Sequence, residues 1–144
     1  MPGQSSYRGT CFCKTVEVEA SGAPAVMAFC HCDSCRTWLS APIHGATLWP
    51  AASVAVVKGA DQLGVYKKTE ASHRQFCKRC GGRVLVDHPA IGMIDVSSVV
   101  LPGLEFRPTM HVHYGEKVLP MRDGLPKFKD FPKEFGGSGE TLPE

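Results

Sequence analysis

The chain has 144 residues, 43% of them apolar and 21% charged, with 16 Lys and Arg set against 14 Asp and Glu. That length and balance suit one globular domain with a core of its own and exclude a largely disordered chain. A formal charge of +2 gives no basic excess for gripping a phosphate backbone, and no apolar run nears the ~20 residues that span a bilayer.

The opening MPGQSSYRGT has neither a basic run nor an apolar stretch. Residues 1–7 are therefore read as an N-terminal extension without a secretory signal, and the expected compartment is a reducing cytoplasm. KTVEVEA, Lys14 to Ala20, alternates polar and apolar residues as a half-buried strand does. VMAFC is a second strand candidate. DSCRTWLSA then offers one or two helical turns, with Asp33 or Ser34 as N-cap. SVAVVKG, GVYKKT, HRQFC, RVLVD, MIDVSSVV and MHVHY are further short runs rich in β-branched or aromatic residues. Gly and Pro separate them in LWPAAS, CGGR, DHPAIGM and LPG. Many short strands and no long 3.6-residue period predict a mainly β, antiparallel single domain with little helix over residues 8–121. From Arg122 the chain turns Pro- and Gly-rich, so residues 122–144 are expected to form a tail. Some of the rings of Phe128, Phe131 and Phe135 should pack on the domain before the chain frays. A partner-binding arm is the alternative.

All seven cysteines fall in three clusters: Cys11 and Cys13, then Cys30, Cys32 and Cys35, then Cys77 and Cys80. Scattered core cysteines would not group this way. In an extended segment residues i and i+2 share a face, so Cys11 with Cys13, and Cys30 with Cys32, can each converge while His31 turns away. A C-x-x-C turn converges too, and Gly81 and Gly82 allow a tight bend after Cys80. The first and third clusters together would make a closed site of four thiolates, a usual composition of structural zinc. The middle cluster keeps three thiolates with an open fourth position, the arrangement of a catalytic zinc. The alternative grouping joins Cys11 and Cys13 to Cys30 and Cys32 and leaves Cys35 with Cys77 and Cys80. It is disfavoured because Cys32 and Cys35 form a C-x-x-C pair. Disulfides would leave one of seven thiols unpaired.

The order C-x-C, C-H-C-x-x-C-R, F-C-x-x-C-G, carried by GTCFCKTVEVE, FCHCDSCR and FCKRCGG, resembles the glutathione-dependent formaldehyde-activating enzymes, a family that also includes centromere protein V. RPTMHVH and DGLPKF extend the likeness, which covers roughly residues 8 to 130. The resemblance implies a β-tent fold and two zinc ions. One would be structural, on Cys11, Cys13, Cys77 and Cys80, and one catalytic, on Cys30, Cys32 and Cys35. It also implies a carbon–sulfur lyase activity that joins glutathione and formaldehyde to give S-hydroxymethylglutathione. The expected partners are thus a small thiol and an aldehyde, with no nucleic acid and no membrane. Gly82 stands where many members carry Ser or Thr, and GEKVLP lacks the tryptophan expected soon after His111.

The expected mechanism puts glutathione's thiol at the open position, where metal binding would deprotonate it. Arg36, Lys78 and Arg79 adjoin the thiolates and can offset their charge or meet glutathione's carboxylates; as ordinary solvated residues they would do neither. His31 is read as a packing or hydrogen-bonding residue. His111 and His113, on one strand face, are candidates for an acid–base role, set against a purely structural one. Trp38, Trp49 and Tyr66 are read as core or rim aromatics. The rival functions are a non-catalytic zinc module for a protein partner, the same chemistry on another thiol or aldehyde, and an oxidant sensor.

Overall fold

The structure, a computed structural model, describes residues 5–144; residues 1–4 of the expected extension lie outside it. The described chain is mainly β, with ten strands in two sheets and one α-helix. In chain order these are β1 (Ser6–Thr10), β2 (Glu17–Ser21), β3 (Val26–Cys30), α1 (Asp33–Leu39), β4 (His44–Pro50), β5 (Val54–Lys58), β6 (Leu63–Thr69), β7 (Ser72–Cys77), β8 (Arg83–His88), β9 (Met93–Ser97) and β10 (His111–Val112). None of the described helices is long and apolar enough to cross a membrane.

The chain divides into two compact units. The first comprises the described part of Met1–Ala25 together with Thr47–Glu105. Here β1, β2 and β5 form an antiparallel sheet, and β6 to β9 pair antiparallel in sequence order. Strand β2 bears out the alternating pattern: Val18 and Ala20 are buried, while Glu17 and Glu19 turn outward to meet Arg8 of β1. Val84, Leu85 and Val86 are buried in succession, as in a strand covered on both faces. They join Val16, Trp49, Val96, Leu101, Cys11 and Cys77 in the core. Trp49 is fully buried, and its indole N–H donates to Thr47 Oγ1 at 2.9 Å. Tyr66, by contrast, is 62% exposed on β6.

Gly9 shows how closely this unit packs. A Cβ there would sit 1.5 Å from the Val100 carbonyl oxygen, a backbone atom that cannot rotate away. Gly9→Ala should therefore destabilise the protein by about 3 kcal/mol or more, the upper end of the range for overpacking. A urea midpoint unchanged from the parent would contradict this packing.

The second unit comprises Val26–Ala46 and Phe106–Glu144. Its strands β3 and β10 pair parallel, His111 opposite Phe29 and Val112 opposite Cys30. The expected tail is woven into this unit. Residues 126–130 exchange backbone hydrogen bonds with residues 111–115, and Leu142 N–H still donates to the Lys127 carbonyl. The expected fraying is thus replaced by a hydrogen-bonded course through Leu142. Some of the phenyl rings pack as expected: Phe128 is half-buried and Phe131 meets the His113 ring edge-on at 4.5 Å, while Phe135 is 50% exposed.

The strands β1 and β4 were not among those expected. SYRGT is short, and in HGATLWP the Gly and Pro read as punctuation although the burial alternates over its first residues. MIDVSSVV ends its strand at Ser97 and closes in a 3₁₀ turn.

Candidate metal centres

The four-thiol group lies in the first unit. Strand β1 ends at Thr10, and a turn, in which the Lys14 N–H donates to the Cys11 carbonyl and Lys14 takes φ +67°, folds Cys13 back beside Cys11. The C-x-C pair converges through this turn, not on the extended strand face expected. On the other side, β7 delivers Cys77, whose carbonyl accepts from the Gly81 N–H at 2.8 Å. Gly81 alone takes the left-handed conformation, at φ +74°, while Gly82 donates its N–H to Cys80 Sγ at 3.3 Å. The sulfurs of Cys11, Cys13, Cys77 and Cys80 all lie within 4.8 Å of one another. Cys11 to Cys13 is 3.7 Å and Cys13 to Cys77 is 3.8 Å. A disulfide needs ~2.05 Å, whereas thiolates ~2.3 Å from one tetrahedral zinc stand ~3.8 Å apart. The donor set therefore fits a metal ion. The Thr15 hydroxyl, 3.1 Å away, holds the Cys13 thiol down at about 6, which favours the ligating thiolate.

The three-thiol group lies in the second unit. Cys30 closes β3, Cys32 follows it, and Cys35 sits in the first turn of α1. The expected N-cap, Asp33 or Ser34, is corrected to Cys32. Its backbone is extended at φ −64° and ψ 147°, and its sulfur accepts the Cys35 N–H at 3.3 Å. A sulfur thus does the work usually given to a side-chain oxygen. The sulfurs of Cys30, Cys32 and Cys35 also lie within 4.8 Å of one another, and no fourth Cys, His, Asp or Glu donor joins them among the described residues. Three thiols so close cannot all ionise alike. Hydrogen bonds from Cys30 and then Cys35 draw the Cys32 thiol strongly downward, while those with Cys32 and then Cys35, together with burial, push Cys30 strongly up.

Arg36 is engaged with the backbone around this group. Its Nε donates to the His31 carbonyl at 2.9 Å and Nη2 donates to the Glu116 carbonyl at 3.0 Å. Lys78 and Arg79 are exposed beside the four-thiol group, in the other unit. His111 and His113 do not share a strand face: β10 ends at Val112, and His113 takes φ +52°. His113 instead pairs with Glu116 at 3.2 Å, and Glu116 accepts the Asp33 N–H at the start of α1. His111 is fully buried, with Nδ1 2.8 Å from His31 Nε2 and Nε2 2.7 Å from Asp123 Oδ2. Burial, and then His111, pushes His31 down to about 4, so it is neutral at pH 7. Sequence reasoning gave no role to Asp123, Lys127 or Tyr114, which surround these rings. The one available signal was DGLPKF, the motif that carries Asp123 and Lys127.

The sequence profile of the family described as "Glutathione-dependent formaldehyde-activating enzyme" matches residues 6–116. An uncharacterized lyase of Schizosaccharomyces pombe is 32% identical over 75 residues, covering 52% of this chain and 53% of that protein. A candidate glutathione-dependent formaldehyde-activating enzyme of Pyrenophora teres f. teres is 30% identical over 109 residues, covering 69% and 57%. The chain thus spans little more than half the length of the curated relatives it matches. A crystal structure of a Rhodobacter sphaeroides protein superimposes with a TM-score of 0.57 at 25% identity, over 68% of this chain and 90% of that one. With both thiol groups inside or spanned by the matched region, the chain belongs to the glutathione-dependent formaldehyde-activating enzyme family.

Proposed function

We propose that the chain joins the glutathione thiol to formaldehyde, with a structural zinc on Cys11, Cys13, Cys77 and Cys80 and a catalytic zinc on Cys30, Cys32 and Cys35. The observation that carries the reading is the three-thiol group, gathered around one point with no fourth donor among the described residues. Three protein ligands and one open position are what a zinc enzyme needs, and four thiolates are what a structural zinc needs. Zinc bound at the open centre supplies positive charge that stabilises an incoming thiol as thiolate.

In the proposed reaction the glutathione sulfur attacks the formaldehyde carbon. A C–S bond forms, the C=O π pair moves onto oxygen, and that oxygen takes up the proton the thiol gave away. The product is S-hydroxymethylglutathione, and nothing else is consumed or released. His113 is the proposed proton carrier. Its side chain is 26% exposed and is braced by Glu116. His111, with no exposure and both ring nitrogens bonded, is better suited to holding a proton in place than to exchanging one. Arg36 binds the two carbonyls that flank the site and sets a positive charge beside the thiolates. Seven free thiols suit a reducing compartment such as the cytoplasm.

Cobalt substitution tests the reading. Titration of the dicobalt protein with glutathione should change about half of the cobalt–thiolate absorption in a saturable way, because one site is closed and one is open. A spectrum indifferent to glutathione would mean a closed middle site or another thiol, and the formaldehyde reading would fall.

A further inference from the structure

The second unit holds a run of polar groups that belongs to neither thiol group, in which two buried rings and a buried lysine meet carboxylates at the surface. His31 Nε2 meets His111 Nδ1 at 2.8 Å, and His111 Nε2 meets Asp123 Oδ2 at 2.7 Å. The other Asp123 oxygen takes Lys127 Nζ at 2.5 Å, and Lys127 also reaches Glu144 Oε2 at 3.1 Å. His31 and His111 have no exposure and Lys127 only 2%. A buried ammonium needs its carboxylate partners ionised, so Asp123 can only accept.

With one proton on the His111 ring, the direction of each proton in the run follows from Asp123. His111 then donates from Nε2 and keeps a lone pair on Nδ1. His31 must donate from Nε2 to that lone pair. His31 Nδ1 is left unprotonated, and it is a buried atom without a hydrogen-bond partner among the described side chains and backbone.

We infer that Asp123 is a positioning residue for the three-thiol centre: acting through His111, it fixes the tautomer and orientation of His31, and so the peptide that carries Cys30 and Cys32 on either side of that ring. The ring has little freedom to compensate. It packs edge-on against Tyr114 at 4.9 Å, the His31 N–H donates to the Val112 carbonyl at 3.1 Å, and the His31 carbonyl accepts from Arg36. Groups behind metal ligands that orient them are worth ~10-fold or more in metal retention. The inference rests on Cys30, Cys32 and Cys35 holding a metal. It does not depend on glutathione or formaldehyde.

The test uses the full-length zinc-loaded protein with ¹⁵N-histidine. Long-range ¹H–¹⁵N correlation should show both His111 and His31 protonated at Nε2 alone. In Asp123→Asn, Lys127 keeps the amide oxygen and the amide NH₂ faces His111. Both rings should then switch to protonated Nδ1. Zinc should also leave the three-thiol centre for a chelator at least tenfold faster, with the four-thiol centre unchanged as an internal report on folding. A wild-type spectrum with His31 protonated at Nδ1 overturns the inference without any variant. So does an Asp123→Asn protein whose tautomers switch while its zinc loss stays at the parent rate. Because neither substrate is present, a failure of the coupling reading would leave both results standing.

Discussion

Cys77→Ser is expected to unfold the first unit at room temperature. Cys77 has no exposure and sits in the core with Cys11. Through the four-thiol group, residues 11–13 are tied to residues 77–80 across some sixty positions of chain, and the proposed zinc is the tie. Two magnitudes separate this reading from a plain packing change. A serine hydroxyl buried without a partner costs about 1–3 kcal/mol. A structural zinc contributes on the order of 10 kcal/mol to folding, comparable to the whole ~5–15 kcal/mol stability of a domain. Losing one of four ligands should therefore collapse the unit, not merely soften it. Circular dichroism on heating, with zinc per chain by elemental analysis, reads both quantities. A Cys77→Ser protein that still melts cooperatively and loses only about 1–3 kcal/mol would show that the group is an ordinary cluster of core thiols. The same collapse is expected of Cys11→Ser, since Cys11 shares the core position and its sulfur also accepts the Val16 N–H.

Cysteine spacing carried this much because metal ligation is local in sequence before it is long-range in space. C-x-x-C can converge in a single turn whatever surrounds it, so both thiol groups were legible from residue numbers alone. The backbone route was less so. Cys11 and Cys13 meet through a turn with Lys14 at positive φ, a conformation to which no lysine advertises a tendency. The β-rich fold was legible from alternation in KTVEVEA and from Gly and Pro spacing. Strand β4 escaped because its signal lies in which residues it faces: Thr47 and Trp49 are buried by partners such as Asp95 and Val96, some fifty positions on. The polar run from His31 to Lys127 was opaque for the same reason. His31 and His111 are 80 positions apart, and nothing near either predicts that the parallel β3–β10 pairing will set them side by side. From sequence alone His31 has a packing or hydrogen-bonding role but no partner, and Lys127, in a Pro-rich stretch, has no role at all.

Cys32→Ser is the sharper test of chemistry, because here the fold should survive. Cys32 does two jobs in the structure. Its sulfur belongs to the three-thiol group, and the same sulfur caps α1 by accepting the Cys35 N–H. Serine is among the best N-cap residues, so its hydroxyl inherits the second job while abolishing the first. An alanine at this position would confuse the two by removing a cap worth about 1 kcal/mol. The melting temperature of the serine variant should therefore stay close to that of the parent, and zinc per chain should fall from two towards one. Formation of S-hydroxymethylglutathione above the uncatalysed rate should vanish, because one of the three proposed ligands of the reacting centre is removed. A Cys32→Ser protein that keeps parental activity would exclude the three-thiol centre as the reaction site. One that unfolds would instead show that the thiolate at Cys32 is structural, and the proposed division of labour between a holding centre and a reacting centre would have to be drawn the other way round.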